Sequence, residues 1–164
     1  MDIIWEELTS GLPDARQLVH VLIRLVAATL LGAVVGIQRE RAGKPAGMRT
    51  HMLVTLGTAV FVLACSGVGM SSDGLSRVIQ GVVTGIGFVG AGSILKLSEE
   101  REIQGLTTAA GLWMTAAVGV AVGLGSLGVA LLSTLFTLII LSFASRVEHR
   151  VDEMRAAKVE AKNN

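Results

Sequence analysis

Three groups of residues in this 164-residue chain have the types and spacing to do chemistry. The first is a literal G-x-G-x-x-G at Gly85, Gly87 and Gly90, inside the stretch TGIGFVGAGSILK. As a phosphate cradle it needs a strand before it, a helix after it and an acidic residue about 20 positions on. The acidic candidates, Glu99, Glu100 and Glu102, come too soon, and no alternating strand–helix pattern surrounds the motif. The second group is Arg24, with His20 one turn before it in an apolar run. An ionisable group there either marks a functional site or snorkels to the headgroups, and both readings stay open. The third is Arg39, Glu40 and Arg41, followed by Arg49, Thr50 and His51. Glu99, Glu100, Arg101 and Glu102, ahead of Thr107 and Thr108, are expected on the same face. For Glu40, Arg49 and His51 a buried network stands beside surface anchoring, with Glu40 and Arg49 able to pair with each other or across loops. For Arg41, Lys44, Glu99 and Glu100, surface pairing and anchoring suffice. The candidate polar network is therefore Arg24, Arg39, Glu40, Arg49, His51, Glu102, Thr107 and Thr108, with Asp73, Gln80 and Ser93 as weaker candidates.

Several chemistries find no support. No His, Cys or carboxylate group has metal-ligand spacing within one apolar run, and no nucleophile–base pair stands out, so neither a metal, a cofactor nor an enzyme is expected. The net charge of +1 gives no reason to expect nucleic acid. The single cysteine, Cys65, cannot form an intrachain disulfide.

The elements that must position these residues are membrane helices. About half of the residues are hydrophobic and 16% are charged, an apolar excess beyond what one small soluble core needs. Hydropathy predicts five spans, Leu18–Ile37, His51–Met70, Val78–Leu97, Leu106–Val122 and Leu127–Phe143, each close to the ~20 residues that cross ~30 Å of hydrocarbon. The expected fold is an all-α membrane protein, a bundle of about five transmembrane helices. It comprises an N-terminal arm (1–17), the membrane domain (18–143) and a short cytoplasmic tail (144–164). Trp5 in the arm reads as an interfacial anchor. Eleven Lys and Arg residues fall on one set of alternate loops and two on the other, with Arg24 inside a span. By the positive-inside rule the N-terminus is outside and the C-terminus inside.

Glycines recur within the spans. Ala28, Gly32 and Gly36 are spaced by four, as are Thr107, Gly111, Thr115, Gly119 and Gly123, and Gly81 and Gly85. Such spacing opens a groove on one face of a helix and lets another backbone approach. Gly32, Gly36, Gly81, Gly85, Gly87, Gly90, Gly111 and Gly119 are read as helix-packing positions, within the bundle or between subunits of a homo-oligomer. The glycine-rich third span is expected either to continue as a packed helix or to break and line a path. The fifth span, LLSTLFTLIILSF, is bulky and aliphatic, as a peripheral lipid-facing helix would be.

The stretches GIQRERAGKPAGMRTHMLVTLGTAVF (Gly36–Phe61), GVVTGIGFVGAGSILK (Gly81–Lys96) and GLTTAAGLWMTAAVGVAVGLG (Gly105–Gly125) together resemble the MgtC/SapB family. The resemblance implies a multi-pass bacterial inner-membrane protein with about five N-terminal spans. It also implies a link to growth in low magnesium or under acid stress, and action through membrane partners such as an ATP synthase or a transporter. Two departures stand out. The chain ends about twenty residues after the last span, so the soluble regulatory domain of virulence-type members is expected to be absent. Thr107 and Met114 stand where those members carry Asn and Cys, so their virulence role is not carried over. The SapB-like or YhiD-like branch is the closer resemblance. Two functions follow: a modulator of ion or proton homeostasis acting through other membrane proteins, or a transporter or channel-like protein for a cation or protons.

Overall fold

The computed structural model describes residues 3–4, 14–67, 69–96 and 103–143. Glu102, with Glu99, Glu100 and Arg101, lies outside the described residues, as do Trp5 and the tail from 144 onward. Five helices carry the described chain: α1 (Ala15–Arg41), α2 (Met48–Gly67), α3 (Ser72–Gly92), α4 (Leu106–Gly123) and α5 (Leu127–Phe143). The first four, of 27, 20, 21 and 18 residues, are long and apolar enough to cross a membrane, and α5 is a shorter apolar helix. This is an all-α, multi-pass membrane fold.

Polar and glycine residues set the ends. Asp14 caps α1 through its carboxylate. Gly43, Gly69 and Gly125, all with positive φ, follow the ends of α1, α2 and α4. After each, the next amide reaches back five residues, from Lys44 to Arg39, Met70 to Cys65 and Ser126 to Ala121, which closes the helix as a Schellman turn.

The third helix corrects the boundaries expected for its span. It begins at Ser72, six residues before Val78, with Ser71 Oγ accepting from the Gly74 amide at 3.2 Å and Asp73 in the first turn. A hydroxyl cap and an early carboxylate both favour a helix N-terminus, and hydropathy does not register either. It ends at Gly92, because the Ser93 amide and hydroxyl both turn back to the Gly90 carbonyl. The apolar run beyond it enters a short antiparallel pairing of β1 (Leu95–Lys96) with β2 (Ile103–Gln104). Gly105 closes this excursion at φ +97°, where any Cβ would strike the Ser93 carbonyl. Through the glycine-rich segment α3 is an uninterrupted α-helix.

The bundle is organised around α4. Gly36 lies against Met48 and Gly32 against His51, Met52 and Thr55, so α1 and α2 run antiparallel. Gly111 lies beside His51, Gly119 against Thr55 and Thr58, and Gly123 against Ala59 and Val62, so α2 and α4 run parallel. Ala28, Ala59, Val118, Val122 and Ala130 form the core where α1, α2, α4 and α5 meet. The buried side of α5 carries Ala130, Thr134, Thr137 and Leu141, while its other faces present large aliphatic and aromatic side chains. By contrast α3 is peripheral. It touches α4 near Gly90 and Ala109 and leaves an apolar groove of about 510 Å³ against α2, lined by Leu53, Gly57, Phe61, Gly81 and Gly85 among others.

Candidate functional site

The described polar candidates gather at two opposite ends of the bundle. At one end the last turn of α1 brings Arg39 inward to 3% exposure, and Nη2 donates to Thr108 Oγ1 at 3.2 Å. A guanidinium stays charged at any accessible pH, so this end holds a buried positive charge. His51, entering α2, is fully buried. Its Nδ1 lies 2.7 Å from Thr115 Oγ1, which donates to the Gly111 carbonyl at 2.8 Å. A hydroxyl whose hydrogen is committed to a carbonyl presents a lone pair to the ring, which assigns the ring hydrogen to Nδ1. Nε2 is then an acceptor, buried and without a well-formed hydrogen bond among the described residues. The backbone carbonyl of His51 accepts from Thr55 Oγ1 at 2.7 Å. Arg39, His51, Thr108 and Thr115 thus tie α1, α2 and α4 together at one end.

Among the described residues Glu40 and Arg49 do not pair with each other, and the acidic residues of the other loop, Glu99, Glu100 and Glu102, lie outside the described residues. Glu40 is exposed, and its Oε2 accepts from the Met48 amide at 3.1 Å and packs on Gly47. It caps the N-terminus of α2, where unsatisfied amides and the helix dipole favour a carboxylate. Arg49 and Thr107 are exposed on the first turns of α2 and α4, pointing away from the cluster. Of the network expected inside, His51, Arg39 and Thr108 are buried, and Glu40 and Arg49 are not. Thr115 belongs to the cluster but reads in the sequence as one more small residue of a glycine stripe. Its signal is the seven-residue step from Thr108, two turns along one helical face.

At the other end, Arg24 Nη1 donates to the Gly123 carbonyl at 2.9 Å. The guanidinium also lies where a Cβ on Gly125 would fall. Carbonyls at a helix C-terminus lack intrahelical partners and carry the negative end of the dipole. Arg24 is therefore a staple between α1 and the end of α4, which accounts for a charge two turns inside a span.

The glycines divide as sharply. Gly32, Gly36 and Gly119 meet neighbouring atoms closer than a Cβ allows, and Gly90 and Gly111 sit at ordinary contact distance. Gly81, Gly85 and Gly87 have nothing among the described residues within 4 Å of where a Cβ would stand. These three bring no two of the described helices together.

No solved structure matches the chain. Among known sequences it is 46% identical over 136 residues to Protein SrpB of Synechococcus elongatus, covering 76% of this chain and 75% of that protein. It is 37% identical over 140 residues to the putative magnesium transporter YhiD of Escherichia coli K12, covering 79% of this chain and 63% of YhiD. Over 117 residues it is 44% identical to Protein MgtC of Salmonella typhimurium, covering 71% of this chain but 49% of MgtC. The chain thus spans most of SrpB and about half of MgtC. A profile of the MgtC family matches residues 25–150, which take in the Arg39, His51, Thr108 and Thr115 cluster, and the chain belongs to the MgtC family.

Proposed function

We propose that this protein modulates ion or proton homeostasis in the bacterial inner membrane by contacting other membrane proteins, without carrying ions through its own bundle and without enzymatic activity. In this reading the N-terminus faces outward and the Arg39 end lies at the cytoplasmic surface, which the excess of Lys and Arg in alternate loops supports. The observation that carries the proposal is the closed interior between the two polar ends. Along α1 and α4, Gly32, Gly36, Gly119 and Gly123 lie against α2 so closely that an added methyl would overlap backbone or Val62 atoms. Between them Ala28, Ala59, Val62 and Val122 are fully buried. A water-filled route from Arg24 to His51 would have to separate these backbones. Partners of the class of an ATP synthase or a cation transporter follow only from the resemblance to the MgtC/SapB family.

Transport remains the second reading, favoured by the likeness to YhiD, which is named a putative magnesium transporter. One pair of experiments separates the two. Purified protein in liposomes is expected to pass neither protons nor Mg²⁺ under an imposed gradient. Crosslinking and purification from native membranes are expected to capture a membrane partner, whose activity then changes when the protein is removed. A flux of either ion that is lost in Glu40→Gln would overturn the modulator reading.

A further inference from the structure

The peripheral helix α3 carries a polar seam on the side turned away from the bundle. Asp73, Arg77, Gln80, Thr84, Gly87 and Ala91 follow one another at alternating intervals of four and three, and all six are exposed. That is the spacing by which one helix packs along another with a slight left-handed crossing. Ile79, Val82 and Ile86, which face α2 and α4, lie about 150° around the helix from this seam at 100° per residue. The seam therefore turns away from α2 and α4, toward what would be hydrocarbon, and Gln80 and Thr84 border an open pocket of about 570 Å³ there. The outer faces of α5 show what contact with lipid looks like here: Leu131, Leu135, Phe136, Ile139, Ile140 and Phe143 are all exposed and all apolar.

Gln80 is the ninth of the 21 residues of α3, about 12 Å from its start at 1.5 Å per residue. Its backbone carbonyl accepts from Thr84 Oγ1 at 2.9 Å, but its side-chain amide makes no hydrogen bond among the described residues. Asp73 and Arg77 are one turn apart, exposed, and form no ion pair among the described residues. A bare carboxamide deep in lipid is costly, because hydrocarbon offers it no donor or acceptor.

We propose that a second copy of this chain covers the seam, forming a two-fold dimer through parallel α3 helices. The seam is complementary to itself. A carboxamide both donates and accepts, so two Gln80 side chains facing each other across a two-fold axis satisfy one another. In their own layers Asp73 faces Asp73 and Arg77 faces Arg77, and it is the diagonal approach of each Asp73 to the partner's Arg77, one turn away, that sets opposite charges beside these like-charged layers. Gly87 and Ala91 lack bulk, which lets the helices draw together toward the other end. Two copies inserted with one topology hold their α3 helices parallel, so these layers coincide without adjustment. The empty surroundings of Gly87 in the single chain follow directly, since its neighbour belongs to the other copy.

The test is a cysteine scan in native membranes on a Cys65→Ala background. Gln80→Cys, Thr84→Cys and Gly87→Cys are expected to oxidise to a species of twice the chain mass, whereas Ile79→Cys, Val82→Cys and Ile86→Cys are not. Equal crosslinking on both sides, none on the seam, or seam crosslinks only to a different protein would overturn the proposal. In reconstituted vesicles Gln80→Leu is expected to weaken self-association about tenfold, the scale of an interhelical side-chain hydrogen bond in membranes, with Gln80→Asn recovering part of the loss. Unchanged or stronger association would refute the role of Gln80. Copies carrying Asp73→Arg and copies carrying Arg77→Asp are expected to pair with each other in preference to themselves. Failure of that preference would remove the charge layer from the interface.

Discussion

Gly119 and Gly111 lie on one stripe of α4, two turns apart, yet the same substitution should affect them in opposite directions. At Gly119 a Cβ would overlap the Thr55 carbonyl oxygen and Thr58 Oγ1, with the Thr55 carbonyl carbon 3.1 Å away. Two of those three atoms belong to the backbone of α2 and cannot rotate aside, so α2 or α4 must shift. Overpacking of this kind costs about 1–3 kcal/mol, and the backbone contact argues for the upper half of that range. Replacing Gly by Ala within a helix returns about 1 kcal/mol of propensity, leaving Gly119→Ala destabilised by about 1–2 kcal/mol. At Gly111 the nearest atom, His51 Cε1, would be 3.8 Å from the new methyl, which is ordinary contact. Gly111→Ala keeps the propensity gain and should be neutral or up to about 1 kcal/mol more stable. The measurement is reversible unfolding in mixed micelles, followed by helical circular dichroism for both variants and the parent. Equal stabilities would show that close approach at Gly119 does not hold α2 to α4, and would remove the closed-interior argument with it.

Other substitutions test the polar ends. Thr115→Val keeps the shape but leaves His51 Nδ1 buried without its partner, so the same unfolding assay should show a loss of about 1–3 kcal/mol. Arg24→Met removes a charged donor from the Gly123 carbonyl and should cost about 1.5–3 kcal/mol; a change in activity with no change in stability would instead restore Arg24 as a functional group. Glu40→Ala should fray the first turn of α2, read as faster amide exchange from Met48 onward. Glu40→Gln, which keeps a carbonyl acceptor, should fray it less.

How much of this was legible in the sequence depends on whether a feature is a sum along the chain or a direction in space. Helix number and membrane character are sums, and composition with loop charge reached them. The start of α3 is local capping chemistry at Ser71 and Asp73, visible as residue types but outweighed by the apolar run that continues past Gly92. Glu40 and Arg49 stand at a span boundary, where residue type alone allows both a buried network and surface anchoring. Whether a side chain there turns in or out depends on its phase around the helix, and the phase is fixed only when Gly32 and Gly36 seat α1 on α2. Arg39, one residue before Glu40, is rotated by about 100° and becomes the buried one.

The same distinction explains the glycines. Spacing alone made Gly81 and Gly85 equivalent to Gly32 and Gly36, because a stripe of small residues records only that something can approach. What approaches depends on the neighbour's own surface. Against α1, α2 offers Met48, Met52 and Thr55 with a backbone close behind, and the contact closes. Against α3 it offers Leu53, Gly57 and Phe61, and a groove remains. Polar residues discriminate better than small ones, since lipid can fill a groove but cannot satisfy an amide. For that reason Gln80, a weak candidate when judged as catalytic or transport chemistry, is the more informative residue of α3, and the glycines around it matter through the approach they allow.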